Sequence, residues 1–376
     1  MSVNKAYKFR LYPNKEQEIV IAKTIGSSRF VLNRFLSLWN ERFQTTGKGL
    51  SYSACSNQLT SLKKELIWLK EVDAHALQSS LKNLSDSFDR FFKKQNDAPR
   101  FKNKRNKVQS YTTNIEKKNQ QPDVSISGNR LKLPKLGWVR FVNSRKVEGR
   151  ILNATVRKNP SGKYFVSLLV ETEVKEKEKT GSTVGIDVGL KDFAILSNGQ
   201  VYKNPKFFRK LEEKLVKAQR ILSRRQRFAI QQKRPLSEAK NVQKQRTKVA
   251  RIHEQIANAR TDYLQKITNE IIKNHDVIGI EDLKVSNMLK NRKLAKAISE
   301  VSWSEFRTML EYKATWYDKQ VIAVDPHCTS QKCHSCGHTA KENRQTQAAF
   351  ICVSCGHSEN ADINASRNIH ELAMAH

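Results

Sequence analysis

The chain is short of acidic residues and has no long apolar segment. Asp and Glu total 36 against 69 Lys and Arg, which gives a formal net charge of +33 over 376 residues. No apolar run approaches the roughly 18 residues of a membrane-spanning helix. The first residues, MSVNKAYKFRLYPN, lack the apolar stretch of a signal peptide. We therefore expect no membrane span and a cytoplasmic, nucleoid-associated protein.

The excess of positive charge points to a polyanionic partner. A compact fold with a net charge of +33 repels itself unless a polyanion neutralises it, and nucleic acid is the obvious candidate. A ribosomal-type protein, or a basic surface that is only solvated, would show the same imbalance. The length allows two or three domains with at least one large core.

Cysteine is also scarce, and its spacing indicates a metal site. Four of the six cysteines form two Cys-x-x-Cys pairs separated by fifteen residues: Cys333 with Cys336, and Cys352 with Cys355. The other two, Cys55 and Cys328, are isolated, which argues against a disulfide framework and for a reducing compartment. Two such pairs supply the closed tetrahedral sulfur shell of a structural Zn²⁺ site. Nearby histidines such as His334 could ligate instead, but four well-spaced thiolates leave them no necessary role.

Three acids follow a common design. Asp187 and Glu281 each come at the end of a short apolar stretch that predicts a buried strand, and Asp362 begins the predicted last helix. If a sheet brings the two strand ends together and the helix packs across them, three carboxylates meet. Their repulsion is relieved by a divalent cation, and hard carboxylate oxygens suit Mg²⁺ or Mn²⁺. The set predicts metal-dependent phosphodiester hydrolysis, although each acid alone is typical of a turn or a helix cap.

The rest of the chain alternates between β and helical patterns. A strand over residues 5–12 precedes a helical region from 15 to about 94 and a basic linker over 93–107. Strand patterns follow from about 109 to 175, including one alternating run over 124–133 and a hairpin around Asn159-Pro160-Ser161-Gly162. A charged run at 172–182 indicates a domain boundary. This order predicts a β domain that is split by a helical insertion, followed by an α/β domain with long basic helices.

The motifs together resemble those of TnpB, the family of RNA-guided nucleases encoded by small bacterial insertion sequences and related to type V CRISPR effectors. The resemblance extends over nearly the whole chain. It rests on residues 7–14 (YKFRLYPN), 99–102 (PRFK), 185–192 (GIDVGLKD), 280–283 (IEDL), 329–331 (TSQ), the four cysteines, and 362–369 (DINASRNI). Many relatives have an Asp-x-Asp pair where this chain has Asn360-Ala361-Asp362, so Asp362 alone can be the third acid.

The resemblance implies a multi-domain α/β fold: an RNase-H-like RuvC domain with an inserted zinc ribbon, and a split β-barrel wedge domain with a helical recognition insertion. The implied boundaries are a first wedge strand at 1–14, the recognition domain at 15–107, the wedge barrel at 108–180, and the nuclease domain at 181–376 with the ribbon at about 327–358. Asp187, Glu281 and Asp362 would be the catalytic acids, which bind Mg²⁺.

The resemblance also implies partners and an activity. A bacterial or archaeal protein of this type would act as a monomer with a guide RNA from the element's own transcript. It would cut double-stranded target DNA beside a short target-adjacent motif. Two alternatives stay open: a guide-directed repressor that binds DNA without cutting it, and a guide-independent RuvC-like junction nuclease or transposase. All three acids are present, which argues against the repressor.

Overall fold

The computed structural model describes residues 2–106, 108–115, 123–174 and 178–375, without the side chains of residues 208 and 210. The end of the predicted linker, residue 107, and residues 175–177 of the predicted boundary lie outside the described part. The chain forms two compact units, residues 2–173 and residues 174–375, called the first and second unit below. Within the described ranges, no helix is long and apolar enough to cross a membrane.

The first unit is a seven-stranded antiparallel sheet with helices inserted after its first strand. Its elements are β1 (Ser2–Tyr12), α1 (Lys15–Thr46), α2 (Tyr52–Glu65), a 3-10 helix (Ile67–Lys70), α3 (Ala74–Phe92), β2 (Gln109–Asn114), β3 (Ser125–Ser127), β4 (Arg130–Leu133), β5 (Gly137–Phe141), β6 (Arg150–Lys158) and β7 (Tyr164–Glu173). The strand order is β2-β6-β7-β1-β5-β4-β3. The strand from the N-terminus therefore lies inside the sheet, and helices α1–α3 form an insertion between β1 and β2.

Local sequence signals explain where these elements begin and end. Pro13 stops β1 because it cannot donate to a ladder, and Asn14 caps α1 in a capping box with Gln17. Gly47, with a φ of 68°, ends α1 in the left-handed conformation. The run over 124–133, predicted as one strand, is instead the β3–β4 hairpin, because Gly128 turns the chain with a φ of 52°.

Strands β2 and β3 are the two edges of this sheet. Among the described residues no pairing joins them, so hydrogen bonds do not close the sheet into a barrel there. One face of the sheet holds an apolar core that includes Phe9, Leu131, Phe141 and Val166, onto which α1 contributes Ile21. A separate core holds the inserted helices together.

The second unit is built on a five-stranded mixed sheet. Its elements are β8 (Thr183–Val188), β9 (Asp192–Leu196), β10 (Val201–Lys203), α4 (Phe207–Gln231), α5 (Lys240–Asn274), β11 (Val277–Glu281), α6 (Val285–Met288), α7 (Ala295–Val301), α8 (Trp303–Trp316), β12 (Gln320–Val324), a 3-10 helix (Lys341–Asn343), β13 (Ala349–Ile351), β14 (Ser358–Asn360) and α9 (Ala361–Met374). The order is β10-β9-β8-β11-β12, with β8, β11 and β12 parallel and β9 antiparallel to β8 and β10.

The core of this unit fixes the sheet, while the long helices α4 and α5 pair beside it. Buried residues of β8 and β11 pack with those of α5 and α8, including Phe306 and Leu310. Pro235 lies between α4 and α5, which pack together through residues such as Leu215 and Ile256. Basic side chains of α4, among them Lys217, remain exposed.

Candidate metal centre and the four-cysteine cluster

Two of the three predicted acids lie at the same end of neighbouring parallel strands. Glu281 is the last residue of β11, and Asp187 is the second-last residue of β8. The strands are paired in register, with Ile186 opposite Ile280. Because parallel strands share a direction, one further residue along each strand brings the two acids side by side at the carboxyl end of the sheet.

The third acid reaches the same edge because helix α9 packs unusually close to the sheet. Gly185 and Gly279 are partners in the β8–β11 ladder. A Cβ at Gly185 would lie 2.2 Å from the carbonyl oxygen of Ser366, and one at Gly279 would lie 2.7 Å from the Cβ of Ala373. Only glycine permits this backbone approach. Gly185 therefore makes room for α9.

Asp362 is not the cap of α9. The side chain of Asn360 takes that role and accepts from the backbone N–H groups of Asp362 at 2.9 Å and Ile363 at 3.3 Å. The carboxylate of Asp362 is therefore available for other partners. One Oδ accepts from the Arg344 guanidinium at 3.0 Å.

The electrostatics show that the three acids interact. Burial, followed by the charges of Glu281 and Asp362, raises the pKa of Asp187 to about 7, although Arg344 acts in the opposite direction. Burial also raises the pKa of Glu281 and of Asp362 above their ordinary values. Burial thus opposes ionisation of all three carboxylates, and Asp187 is also repelled by the other two, so a cation would stabilise the site.

Two further side chains contact this acid set and a third acts on it through its charge; sequence analysis gave none of them a role. Thr329 donates a hydrogen bond from its hydroxyl to Glu281 at 2.6 Å. Arg344, from the segment between the two cysteine pairs, binds Asp362. The charge of Asp192 raises the pKa of Asp362, and its own carboxylate pairs with Lys203 at 2.9 Å. Thr329 and Asp192 lie within the quoted motifs, which was the only available signal; Arg344 had none.

The four predicted zinc ligands come together. Among the described residues, they alone form a set of three or more metal-ligating side chains with ligand atoms all within 4.8 Å of one another. The Sγ–Sγ distance is 3.7 Å for Cys333–Cys355 and 3.6 Å for Cys336–Cys352. A tetrahedron with Zn–S bonds of about 2.3 Å has sulfur atoms roughly 3.8 Å apart, so the donor set fits Zn²⁺.

Both cysteine pairs adopt the same turn. Cys333 N–H donates to His338 O and Gly337 N–H to Cys333 O; in the second pair Cys352 N–H donates to His357 O and Gly356 N–H to Cys352 O. Gly337 and Gly356 have similar positive φ angles, 76° and 73°. Among the described residues, the set of converging ligand atoms consists of the four thiols and includes no histidine side chain. His334 Nδ1 instead lies 2.9 Å from Glu371 on α9.

Two buried asparagines bind the segment that holds the four cysteines, the predicted ribbon, to the helix that carries Asp362. Asn364 accepts from His334 N–H at 2.9 Å and donates to Lys332 O at 2.8 Å. Asn368 donates to Thr329 O at 2.9 Å and to Lys332 O at 2.7 Å. The segment of the first cysteine pair, α9 and the Thr329–Glu281 contact are thus joined by direct hydrogen bonds.

Comparison with known proteins agrees with this architecture. Residues 167–292 match a family described as "Probable transposase", and residues 303–369 match one described as "Cas12f1-like, TNB domain". InsQ of Escherichia coli (strain K12), named as a candidate RNA-guided DNA endonuclease, is 39% identical over 99% of this chain and 92% of its own. The chain belongs to the TnpB family of RNA-guided DNA endonucleases.

Two other findings complete the comparison. A candidate RNA-guided DNA endonuclease of Streptomyces pristinaespiralis is 34% identical over 99% of this chain and 90% of its own. The Cas12f1 chain of a Cas12f1–sgRNA–target DNA complex shares the fold, with a TM-score of 0.63, 15% identity, and coverage of 98% of this chain and 99% of that one. Residues 1–48 match a family described as "Helix-turn-helix domain", yet they form strand β1 and the single helix α1.

Proposed function

We propose that this member of the TnpB family is the RNA-guided endonuclease of a transposable element, which cuts double-stranded DNA beside a short target-adjacent motif. The observation that carries the proposal is the meeting of Asp187, Glu281 and Asp362 at one edge of the β8–β11 sheet, under a helix held at backbone distance. The relatives' names supply the guide and the DNA substrate.

We assign Asp187, Glu281 and Asp362 as catalytic ligands of Mg²⁺, with Mn²⁺ able to use the same oxygens. A bound divalent cation would supply Lewis-acid stabilisation of the reacting phosphodiester. The chain's own contribution is to hold the carboxylates in place: Thr329 orients Glu281, and Arg344 offsets the charge of Asp362. Zinc in the four-cysteine set has a structural role, because a complete thiolate shell leaves no open position for chemistry.

The domain assignment follows the two units and their strand order. Residues 181–376 would be an RuvC-like nuclease domain with the ribbon at about 327–358, and the mixed order β10-β9-β8-β11-β12 supports it. Residues 1–14 and 108–180 would form the wedge domain, whose strands share one sheet. Residues 15–107, which are largely helical, would be the recognition domain.

The positive charge of the chain supports the proposal of RNA and DNA partners. The net charge is +33, and helix α4 exposes Lys217, Arg220 and Arg224. Side chains of this kind contact phosphates and recognise a guide–target duplex by its shape. We propose that one copy of the chain acts with one guide RNA transcribed from its own element.

The first experiment is to express the chain with its native flanking DNA and to sequence the RNA that copurifies. A single species, with a constant scaffold and a 3′ end that extends past the element, is the expected result. A heterogeneous mixture would contradict guided recognition and favour a general phosphate-binding nuclease. Efficient cutting of branched DNA by RNA-free protein would do the same.

A repressor that binds without cutting is tested separately. Asp187→Ala removes one carboxylate of the acid set and leaves the exposed basic surface unchanged. We expect the variant to retain guide-directed binding in a mobility-shift assay and to lose cleavage. If the parent protein with its RNA binds the matched target but never cuts it, in either Mg²⁺ or Mn²⁺, the repressor hypothesis replaces the endonuclease hypothesis.

A further inference from the structure

An ion pair between strands β9 and β10 of the second unit has no role in the function proposed above. Lys203 is the last residue of β10, and its ammonium group pairs with the Asp192 carboxylate on β9 at 2.9 Å. The side chain of Asp192 is only 15% exposed, whereas that of Lys203 is 80% exposed. The pair therefore presents a positive charge to solvent from a carboxylate that the fold holds in place.

A β-bulge gives this pair its direction. Tyr202 on β10 pairs with Ala194 on β9. The next pair is Lys203 with Asp192, which leaves Phe193 as an extra residue on β9. Both Phe193 and Ala194 belong to the core against α5 and α8, although consecutive residues of a regular strand face opposite sides of a sheet. The bulge therefore directs Asp192 away from that core.

The side of the sheet opposite that core carries the acid set. Helix α9 covers this side, because a Cβ at Gly185 would meet the α9 backbone, and Asp187, two residues further along β8, faces the same way. Ile195 lies opposite Asp187, and Asp192 comes three residues before Ile195 on the antiparallel strand β9. The ion pair therefore lies about 10 Å beyond Asp187 in the direction in which β8 runs. In agreement, the pKa of Asp362 is raised first by burial and also by the charge of Asp192.

Backbone contacts fix the position of Lys203. The hydroxyl of Tyr263 on α5 donates to the Lys203 carbonyl, and Asn204 donates to Leu190 O at 2.8 Å in the turn before β9. Phe193, the extra residue of the bulge, packs edge-on against Tyr263 with ring centroids 5.6 Å apart. The bulge, the tyrosine and the ion pair thus support one another, and bulges beside active sites often re-aim a side chain.

The exposed ammonium group suits a phosphate of the DNA strand that is cut. An ammonium group has three N–H donors, and the contact with Asp192 uses one of them, so the group can bind a phosphate oxygen at the same time. The offset of about 10 Å from Asp187 suits a neighbouring phosphate better than the scissile one. Because Asp192 already restrains the lysine side chain, binding a phosphate costs less side-chain entropy than it would for an unrestrained lysine.

We propose that Asp192 positions Lys203 to bind a phosphate next to the scissile one, which holds the DNA strand across the acid set. This inference rests on the endonuclease function proposed above and adds to it a substrate-binding residue, Lys203, and a positioning residue, Asp192. In the competing role, Lys203 only neutralises Asp192 and so limits its repulsion of Asp362. The two roles predict opposite results when both residues of the pair are changed.

The first test compares Lys203→Gln, Asp192→Asn and the double variant, each with the copurified RNA and a matched DNA duplex. Lys203→Gln should lower the cleavage rate about 10- to 100-fold, the range for one hydrogen bond between charged groups. Asp192→Asn should lower the rate less, because the lysine keeps its charge, and the double variant should match Lys203→Gln. If the double variant instead regains the parental rate, Lys203 only neutralises Asp192 and the proposal is wrong.

The matched control is Lys179→Gln. Lys179 pairs with Asp318 at 3.0 Å, but the two residues precede the amino ends of β8 and β12, at the end of the sheet opposite to the acids. This variant should cleave at the parental rate, and an equal loss would contradict a specific role of Lys203. Lys203→Arg should retain most of the activity, because a guanidinium group also binds phosphate.

Neutral linkages in the DNA identify the phosphate. A methylphosphonate removes the charge of one phosphate, and we would place one at each position around the cut. One position should slow the parent and not slow Lys203→Gln further. Without divalent cations, when no cleavage occurs, borohydride should trap an abasic aldehyde at that nucleotide on the peptide that carries Lys203.

The outcomes separate this contact from the proposed function. A parent protein that never cuts matched DNA would refute the endonuclease function and the contact with it. A parent that cuts, but is slowed by every methylphosphonate to the same degree as Lys203→Gln, would refute the phosphate contact alone. Trapping only on peptides without Lys203 would also refute the contact alone.

Discussion

Asp187→Asn should make the protein inactive and more stable at once. In the folded chain, burial and the charges of Glu281 and Asp362 raise the pKa of Asp187 to about 7 from an ordinary 3.8. An asparagine of nearly the same shape removes the buried charge. Because function requires a carboxylate where folding disfavours one, the variant should lose cleavage while the cation-free fold gains stability.

The magnitude follows from the shift in pKa. Three units at about 1.36 kcal/mol each give a ceiling of about 4 kcal/mol. Asp187 is partly exposed, so solvent screening reduces the expected gain to about 2 kcal/mol. For a unit of roughly 200 residues, that corresponds to a rise of about 4 to 8 °C in the melting temperature.

The stability difference between the Asp187→Asn variant and the parent should increase with pH. The folded-state pKa is raised, so the folded chain binds the proton more tightly than the unfolded chain does. The destabilisation by Asp187 therefore grows as pH rises from about 4 to about 7 and is complete above it. The variant and the parent should melt alike at pH 4 and differ most at pH 8.

The assay is thermal melting at several pH values, without added divalent cations and with zinc left in place. Adding Mg²⁺ should raise the melting temperature of the parent and not that of the variant, because a ligand stabilises only a state that binds it. Asp282→Asn is the control: Asp282 is exposed, and Arg307 lowers its pKa, so its loss should bring no gain. A variant less stable than the parent at pH 8, or a gain independent of pH, would refute the reasoning.

Three further predictions concern the support of the acid set. Gly185→Ala should lower the melting temperature and abolish cleavage, because the added Cβ would meet the Ser366 carbonyl. The control Gly26→Ala, whose Cβ would have no neighbour nearer than 4.0 Å, should be neutral or slightly stabilising. Equal effects of the two substitutions would contradict the close packing of α9. Asn368→Ala leaves the carbonyls of Thr329 and Lys332 without this donor, which costs about 1–3 kcal/mol of stability per lost partner. Cleavage should therefore fall while guided DNA binding and zinc content persist. Loss of zinc would instead indicate that the ribbon has unfolded. Arg344→Gln removes a positive charge that lowers the pKa of both Asp187 and Asp362. The rise of the cleavage rate with pH should therefore move to higher pH. An unchanged pH profile would exclude this electrostatic role of Arg344.

The positions of Asp187 and Glu281 in the fold could be predicted because the signals are local. An acid after a short β-branched run marks the end of a buried strand, and Asp187 and Glu281 both do lie at the ends of such strands. Two Cys-x-x-Cys pairs likewise predict their own convergence. The first strand, the helical region after it and the hairpin around residues 159–162 were also predicted from periodicity and turn residues.

What could not be predicted depends on contacts between distant parts of the chain. No local pattern indicates that Gly185 makes room for α9, because the residues of α9 that approach it lie far along the chain. Arg344 has no local pattern, and only the folded ribbon brings it to Asp362. Trp39 stacks on Phe88 across two helices whose separate patterns indicate only core packing. The hairpin at Gly128 was missed because alternation continues on both sides of a short turn.

The most direct test of the central claim is guided cleavage by the protein with the RNA that copurifies with it. Plasmids would carry either a target matched to that RNA or a scrambled one, each beside a randomised flanking sequence, with Asp187→Asn as the inactive control. The account predicts that the parent linearises only the matched plasmid, that a short flanking motif is enriched among the cut molecules, and that the variant cuts neither plasmid. Cutting of both plasmids alike, or undiminished cutting by the variant, would contradict it.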